Sequence, residues 1–242
     1  VRQLGEEPWR VIVSGAPSLD HLRTMRLLDR AELEARIGLR MERPPLLVTY
    51  HPVTLEYEQA QWQIGELLGA LREVGLPIVF TGSTADTNSR IIMQRIRKFV
   101  EDRSDAVLVH HLGTVDYWSL MRYAAAMVGN SSSGITEASS FHLPVVNIGT
   151  RQEGRVRGTR QNGRVRGGNV IDVGYGRNEI VAGIRKAVST EFLASLKTLE
   201  NLYGDGHAAE RIMERLRDIP LDQKLICKRF VDLPAMEHVH DT

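Results

Sequence analysis

A doubly wound parallel α/β sheet, Rossmann-like, is the fold class this sequence predicts, and three observations carry that reading. Short apolar runs alternate with longer amphipathic ones from about residue 45 to residue 190. The short runs are continuous in Val, Ile and Leu rather than alternating with polar residues, which marks strands buried on both faces. The segments between them have helical periodicity and enough length for right-handed crossovers. Ligands of such a sheet bind beyond the carboxyl ends of its strands, so function is sought just after Tyr50, Thr81, Val109, Gly129 and Ile148.

Leu46–Tyr50 reads as the first buried strand. From Leu55 to Val74 the apolar positions Trp62, Ile64, Leu67, Leu68 and Leu71 recur at helical spacing, and Gly75 stops the helix. Pro77–Thr81 is the next strand and Ser89–Val100 the next helix. Ala106–Val109 and Tyr117–Ala125 repeat the pattern. Ala126–Gly129 is a strand before a short helix, Gly134–Phe141. Pro144–Ile148 and Asn169–Val173 supply two more strands, with a helix from Asn178 to Val188. The ends differ. Val11–Val13 is strand-like, helical pieces fall at Leu19–Leu28 and Arg30–Ile37, and after Asp205 come a helix to Arg217 and an amphipathic segment, Leu221–Phe230. Both ends read as parts that pack on something else.

Composition narrows the function. Hydrophobic residues make up 42% and charged ones 25%, ordinary globular usage that removes the disordered, collagen-like and coiled-coil classes. Thirty-one basic against thirty acidic residues leave +1, which argues against a dedicated nucleic-acid or polybasic membrane protein. No apolar run approaches the roughly 18 residues of a membrane span. A single cysteine, Cys227, excludes an internal disulfide and suits a reducing, cytoplasmic setting. The chain of 242 residues opens on Val1 inside a polar segment, with no initiator Met, and is expected to be cut.

The sharpest motif is Gly129-Asn130-Ser131-Ser132-Ser133-Gly134-Ile135-Thr136-Glu137. A strand ends, a hydroxyl-rich turn follows and a helix begins, which offers free amides and hydroxyls to a phosphate. Glu137, one turn in, can accept from ribose hydroxyls. The plainer reading is a Ser cap with Glu137 completing a capping box. His51, fixed between a strand end and Pro52, can meet a phosphate or move a proton, or can be a hydrogen-bonded structural histidine. The loop Thr81–Arg90 is polar enough for ligand contact, and His110-His111 can offer backbone groups to a base. As a metal pair adjacent histidines are poor, since neighbours in a strand point to opposite faces. Residues 150–158 and 159–167 match at eight of nine positions, a tandem duplication carrying six Arg and one Glu. His238-Val239-His240-Asp241 is expected to be disordered.

Leu47–Thr54, Gly129–Glu137, Asn147-Ile148-Gly149-Thr150-Arg151-Gln152-x-Gly154-Arg155 and Tyr203-Gly204-Asp205-Gly206 together resemble the hydrolysing UDP-N-acetylglucosamine 2-epimerases. The resemblance runs from about Leu4 to Phe230. Pro-Val-Thr after His51, where non-hydrolysing relatives are Arg-rich, favours the hydrolysing branch. The resemblance implies a glycosyltransferase-B-like pair of Rossmann-type domains, of which this chain supplies the carboxy-terminal one. It implies conversion of UDP-N-acetylglucosamine to N-acetylmannosamine and UDP, by elimination of UDP and hydration of a glycal, for sialic-acid or nonulosonate synthesis. No cofactor and no metal are implied. By resemblance, Ser131, Ser132, Ser133, Gly134 and Glu137 hold phosphate and ribose, Arg90 and Arg151 contact UDP, His111 falls near the uracil, and His51 is the catalytic-cleft histidine. The implied partners are UDP and UDP-N-acetylglucosamine, with no nucleic acid and no membrane, and a homo-oligomer for the full-length protein.

The same resemblance divides the chain into a remnant of the amino-terminal domain (1–25), a UDP-binding domain (26–204), crossover helices (205–235) and a disordered tail (236–242). The family's acid and base lie in the amino-terminal domain, so this chain alone is expected to bind UDP without turnover. The duplication offers Arg151 or Arg160 to the UDP position, and Arg151 keeps its spacing from Glu137. Thr84 stands where relatives often have Asn. Two other readings remain: a glycosyltransferase donor domain and a non-catalytic UDP-binding module.

Overall fold

The six strands expected between residues 45 and 190 all form, each four residues long: β1 (Leu46–Thr49), β2 (Ile78–Thr81), β3 (Ala106–Val109), β4 (Ala126–Gly129), β5 (Val145–Ile148) and β6 (Val170–Val173). They were traced in a computed structural model that describes residues 1–82, 89–153 and 164–232. Thr84, Arg160, most of the duplicated segment and the tail 236–242 therefore lie outside the described residues. All pairings are parallel, in the order β3-β2-β1-β4-β5-β6. Between β1 and β4 the winding reverses, and that is where a doubly wound sheet opens a crevice.

The helices in chain order are α1 (His21–Thr24), α2 (Arg30–Ile37), α3 (Ala60–Val74), α4 (Ser89–Glu101), α5 (Thr114–Tyr123), α6 (Ser133–Thr136), α7 (Arg177–Ala187), α8 (Thr190–Ser195), α9 (Ala208–Asp218) and α10 (Gln223–Ile226). The chain divides into two units, Met25–Tyr203 and Val1–Thr24 with Gly204–Thr242. In the larger unit, Leu46, Val48, Ile78, Phe80, Val128 and Val146 pack against Ile64, Leu67 and Leu71 of α3 and Ile180 and Ile184 of α7. Deleting a side chain from such a core costs about 2–5 kcal/mol. Met127 and Val145 meet α6 on the opposite face, close enough that a Cβ on Gly134 would lie 2.9 Å from Val145. A capping box of Asp29 and Glu32 starts α2.

Five expectations change. The edge strands β3 and β6 are only partly covered rather than buried on both faces. The helical piece expected at Leu19–Leu28 is a 3-10 turn, Pro17–Asp20, and the single turn α1, which ends at Thr24. The helix expected at Leu55–Val74 starts as a separate 3-10 turn, Thr54–Gln59, because Glu56 leaves helical geometry at φ −125° and ψ 26°. Gly134–Phe141 is the single turn α6 followed by a 3-10 turn, Ala138–Phe141. Val11–Val13 is not a strand: Val13 is 90% exposed, and the described chain supplies no strand partner for it. Among the described residues no helix is long and apolar enough to cross a membrane.

In the smaller unit Asp20 accepts from Ala208 and Ala209 N–H at 2.9 and 2.6 Å, capping α9 from a segment nearly two hundred residues away. Glu210 accepts from Arg23 and His207, both at 2.7 Å, and Asp205 pairs with Arg211 at 2.7 Å. Met213 and Leu216 of α9 stay exposed. The guanidinium of Arg23, then His207, holds the Glu210 carboxyl at about 2 against an ordinary 4.5. A depressed carboxylate stabilises the fold above its unfolded pKa and loses that contribution as pH falls through the folded one. Wild type and Glu210→Gln are therefore expected to differ in unfolding midpoint at neutral pH and to converge as pH falls from 4.5 towards 2, in denaturant titrations at each pH. A gap that persists at the acid end would show that the pair does not act through charge.

Candidate functional site

The crevice between β1 and β4 is closed by one buried amide. Thr49 pairs with Gly129 in register, and Asn130, the residue after β4, is joined to His51, two residues beyond β1. Asn130, fully buried, accepts from the His51 N–H with Oδ1 and donates to the His51 carbonyl with Nδ2, both at 2.8 Å. Its own N–H donates to Thr49 O at 3.1 Å. The Asn130 carbonyl accepts from Arg151 Nη1 at 3.0 Å and from Gln152 Nε2 at 2.8 Å. One residue thus fixes the backbone of His51, itself 8% exposed, and draws in the loop after β5.

The serine turn that follows is not a capped helix. Ser132, the residue before α6, makes no side-chain cap. Ser131 Oγ accepts from Ser133 N at 3.3 Å, and the Ser133 hydroxyl donates to Glu137 Oε2. Trp118 Nε1, on α5, donates to that same oxygen at 3.3 Å. Glu137 is therefore aimed and half-buried rather than free at the surface. Gly134 N donates to Ser131 O at 3.2 Å, and Ile135 N to Ser132 O at 3.0 Å. Among the described residues, the backbone amides of Ser131 and Ser132 make no hydrogen bond, so these two and the hydroxyls of Ser131 and Ser132 are what the turn offers an anion, the Ser133 hydroxyl being engaged by Glu137. With a helix of one turn, local N–H groups rather than a long macrodipole supply the attraction. The Tyr117 phenol lies in the same cluster. Burial pushes its pKa up, hydrogen bonds with Ser133 and Thr49 oppose this, and it stays a neutral donor near pH 7.

A second network braces the site. Glu56, in the 3-10 turn after His51, accepts from Thr150 Oγ1 at 2.5 Å, Tyr175 Oη at 2.6 Å and Gln63 Nε2 at 2.9 Å. Tyr50 Oη donates to Gln63 Oε1 at 3.0 Å, and burial pushes that phenol's pKa up as well. The Tyr175 ring lies so close over Gly149 (φ +69°) that a Cβ there would sit 2.1 Å from it. The loops after β1, β5 and β6 are thereby held to one carboxylate.

Among the expected site residues, His51, Ser131, Ser132, Ser133, Gly134, Glu137 and Arg151 converge at the ends of β1, β4 and β5. Gly134 does so as a buried packing position on Val145, with its amide engaged inside the turn. Arg90 and His111 are exposed, after β2 and β3. Asn130, Gln152, Tyr117, Trp118 and Glu56 carry no expected role in the sequence. Trp118 and its partner Glu137 are 19 residues apart, Asn130 and His51 79, and Glu56 lies 94 and 119 residues from Thr150 and Tyr175, so the motifs around Asn130 and Gln152 do not disclose these contacts. Among the described residues no group of three His, Cys, Asp or Glu side chains is placed to hold a metal ion.

The UDP-N-acetylglucosamine 2-epimerase family model matches residues 1–217. Polysialic acid biosynthesis protein P7 of Escherichia coli is 31% identical over 243 residues, covering 100% of this chain and 59% of its own length. The GDP/UDP-N,N'-diacetylbacillosamine 2-epimerase (hydrolyzing) of Campylobacter jejuni is 35% identical over 234 residues, 96% of this chain and 58% of that protein. The chain thus spans less than two thirds of the length of these relatives. The Methanocaldococcus jannaschii UDP-GlcNAc 2-epimerase, solved with UDP-GlcNAc and UDP, shares the fold with a TM-score of 0.64 at 14% identity, over 88% of this chain and 56% of that one. On the family match and these relatives, the chain belongs to the UDP-N-acetylglucosamine 2-epimerase family.

Proposed function

We propose that this chain is the nucleotide-holding half of a hydrolysing UDP-N-acetylglucosamine 2-epimerase, forming N-acetylmannosamine and UDP or the equivalent products of a diacetamido sugar. The observation that carries this reading is the Asn130 clamp, which fixes His51 beside the serine turn at the switch point of the sheet. Ser131 and Ser132 donate to the diphosphate, and Ser133 keeps Glu137 aimed for the ribose hydroxyls. Arg151 and Arg90 supply charge to the phosphates, and His111 lies on the uracil side. Elimination places negative charge on the departing UDP, so donors fixed before the reaction lower its barrier, with His51 at the leaving group. The acid and base that move the substrate's protons are assigned to the amino-terminal domain of the whole protein, of which residues 1–25 are read as a remnant and towards which the crossover segment from residue 205 is read as packing. In this reading the full-length enzyme is a cytoplasmic homo-oligomer that serves sialic-acid or nonulosonate synthesis.

Calorimetric titration of the chain tests the binding half of this reading. UDP is expected to bind and free N-acetylglucosamine not to, with Glu137→Gln and Ser132→Ala each weakening UDP about tenfold through a lost charge-assisted or hydroxyl contact. Equal affinity in both variants would remove the serine turn from the site. Release of N-acetylmannosamine from UDP-N-acetylglucosamine by this polypeptide alone would refute the division of labour. A requirement for an acceptor sugar would point to a transferase instead.

A further inference from the structure

A second cleft of about 600 Å³ lies in the larger unit at the opposite edge of the sheet, where Pro44 and Pro144 lead into β1 and β5. That volume is within the range of small-molecule sites. Its floor is apolar, with Met121 and Leu143 buried and Phe141 half-buried, and Leu193 stands 42% exposed at its rim. Its charged and titratable lining is one-sided: Arg30, Arg43, Arg122 and His142 with the phenol of Tyr123, and no carboxylate.

Two of these arginines flank one ring. The guanidinium carbons of Arg30 and Arg122 sit 5.9 and 5.8 Å from the Tyr123 centroid. Neither makes an ion pair or hydrogen bond among the described residues, whereas Arg43 donates to the Gly75 carbonyl at 3.2 Å. Arg122 falls in the last turn of α5, where the helix dipole favours a cation. Arg30 is the first residue of α2, where the dipole opposes one, and neighbouring Asp29 is engaged in the capping box. Local structure thus accounts for Arg122 but not for Arg30. Guanidinium groups over an aromatic ring, at the mouth of an apolar cleft, suit a planar or tetrahedral oxyanion.

We propose that this cleft binds a small amphipathic anion, with an aromatic or alkyl body on Met121, Phe141 and Leu143 and a carboxylate, sulfonate or phosphate against Arg30 and Arg122. It stands at the edge of the sheet away from the serine turn, so its ligand and a nucleotide do not compete.

The probe is 8-anilinonaphthalene-1-sulfonate, titrated by fluorescence into the full chain, beside its uncharged analogue N-phenyl-1-naphthylamine. One saturable site is expected, unchanged by saturating UDP, with the uncharged dye bound several-fold more weakly. The double variant Arg30→Gln/Arg122→Gln is expected to weaken the anionic dye about tenfold, the scale of a charge-assisted contact. Leu193→Ser, at an exposed position that leaves the core intact, weakens both dyes. Circular dichroism confirms that the variants are folded. Undiminished binding in the double variant, displacement by UDP, no saturable site, or a concentration-dependent dimer that excludes the dye would each overturn the proposal. Apart from the UDP competition, none of these outcomes depends on whether UDP binds at the serine turn.

Discussion

Gly129→Ala is expected to destabilise the chain by more than about 3 kcal/mol, the scale of forcing a side chain into a backbone conformation reserved for glycine. Gly129 ends β4 at φ +135°. A Cβ there would lie 2.0 Å from the carbonyl oxygen of Thr49 and 2.8 Å from its carbonyl carbon. These are backbone atoms of the paired strand, so no side-chain rotation relieves the clash, and β1 and β4 must move apart at the crevice. With a typical domain stability of about 5–15 kcal/mol, this is a large share of the total. Gly113→Ala is the control, since that position has an ordinary φ of −61° and nothing within 4 Å of an added Cβ. Urea midpoints should fall sharply for the first variant and shift little for the second. If both shift alike, the close approach of the two strand ends is not what demands glycine.

The same pair of strand ends shows how far local sequence reaches. Strand positions were legible because continuous apolar runs such as Leu46–Val48 and Ala126–Val128 have one economical solution, burial between two helical layers. The stop of α3 at Gly75 was legible too, since the left-handed cap is written in one residue. Site positions followed from strand ends, so His51 and the serine turn could be named without coordinates. What supports them could not. Asn130 to His51 spans 79 residues, Thr150 to Glu56 spans 94, and Tyr175 to Glu56 spans 119. Each contact exists only because the sheet order brings β1 beside β4 and its loop to those of β5 and β6. The reverse failure is Val11–Val13, whose β-branched run resembles a strand but finds no neighbour to pair with in the described chain. Strand propensity describes fitness for a pleated surface, and a lone segment has none.

Asn130→Ala is expected to cost about 2–6 kcal/mol and to weaken UDP at least tenfold. Two buried backbone groups of His51 lose their partners at once, and each unsatisfied group costs about 1–3 kcal/mol. Asn130→Asp separates geometry from chemistry. The carboxylate still accepts from the His51 N–H, but it cannot donate to the His51 carbonyl and instead places an oxygen 2.8 Å from it, in a fully buried site. Burial and that carbonyl raise the new carboxyl's folded pKa. A group with a raised folded pKa destabilises the fold when ionised, so the deficit of Asn130→Asp shrinks as pH falls through that pKa and the protonated carboxyl regains a donor. Asn130→Ala has no such group, and its deficit relative to wild type stays flat over the same range. Denaturant unfolding of the three proteins at several pH values distinguishes the two behaviours, and UDP titration at the same pH values follows the crevice. Parallel pH curves for the two variants would mean that the amide fills space rather than clamps His51. Recovery of UDP affinity together with stability in acid, for the aspartate variant alone, would tie the grip on the nucleotide to the hydrogen bond that holds the histidine loop in place.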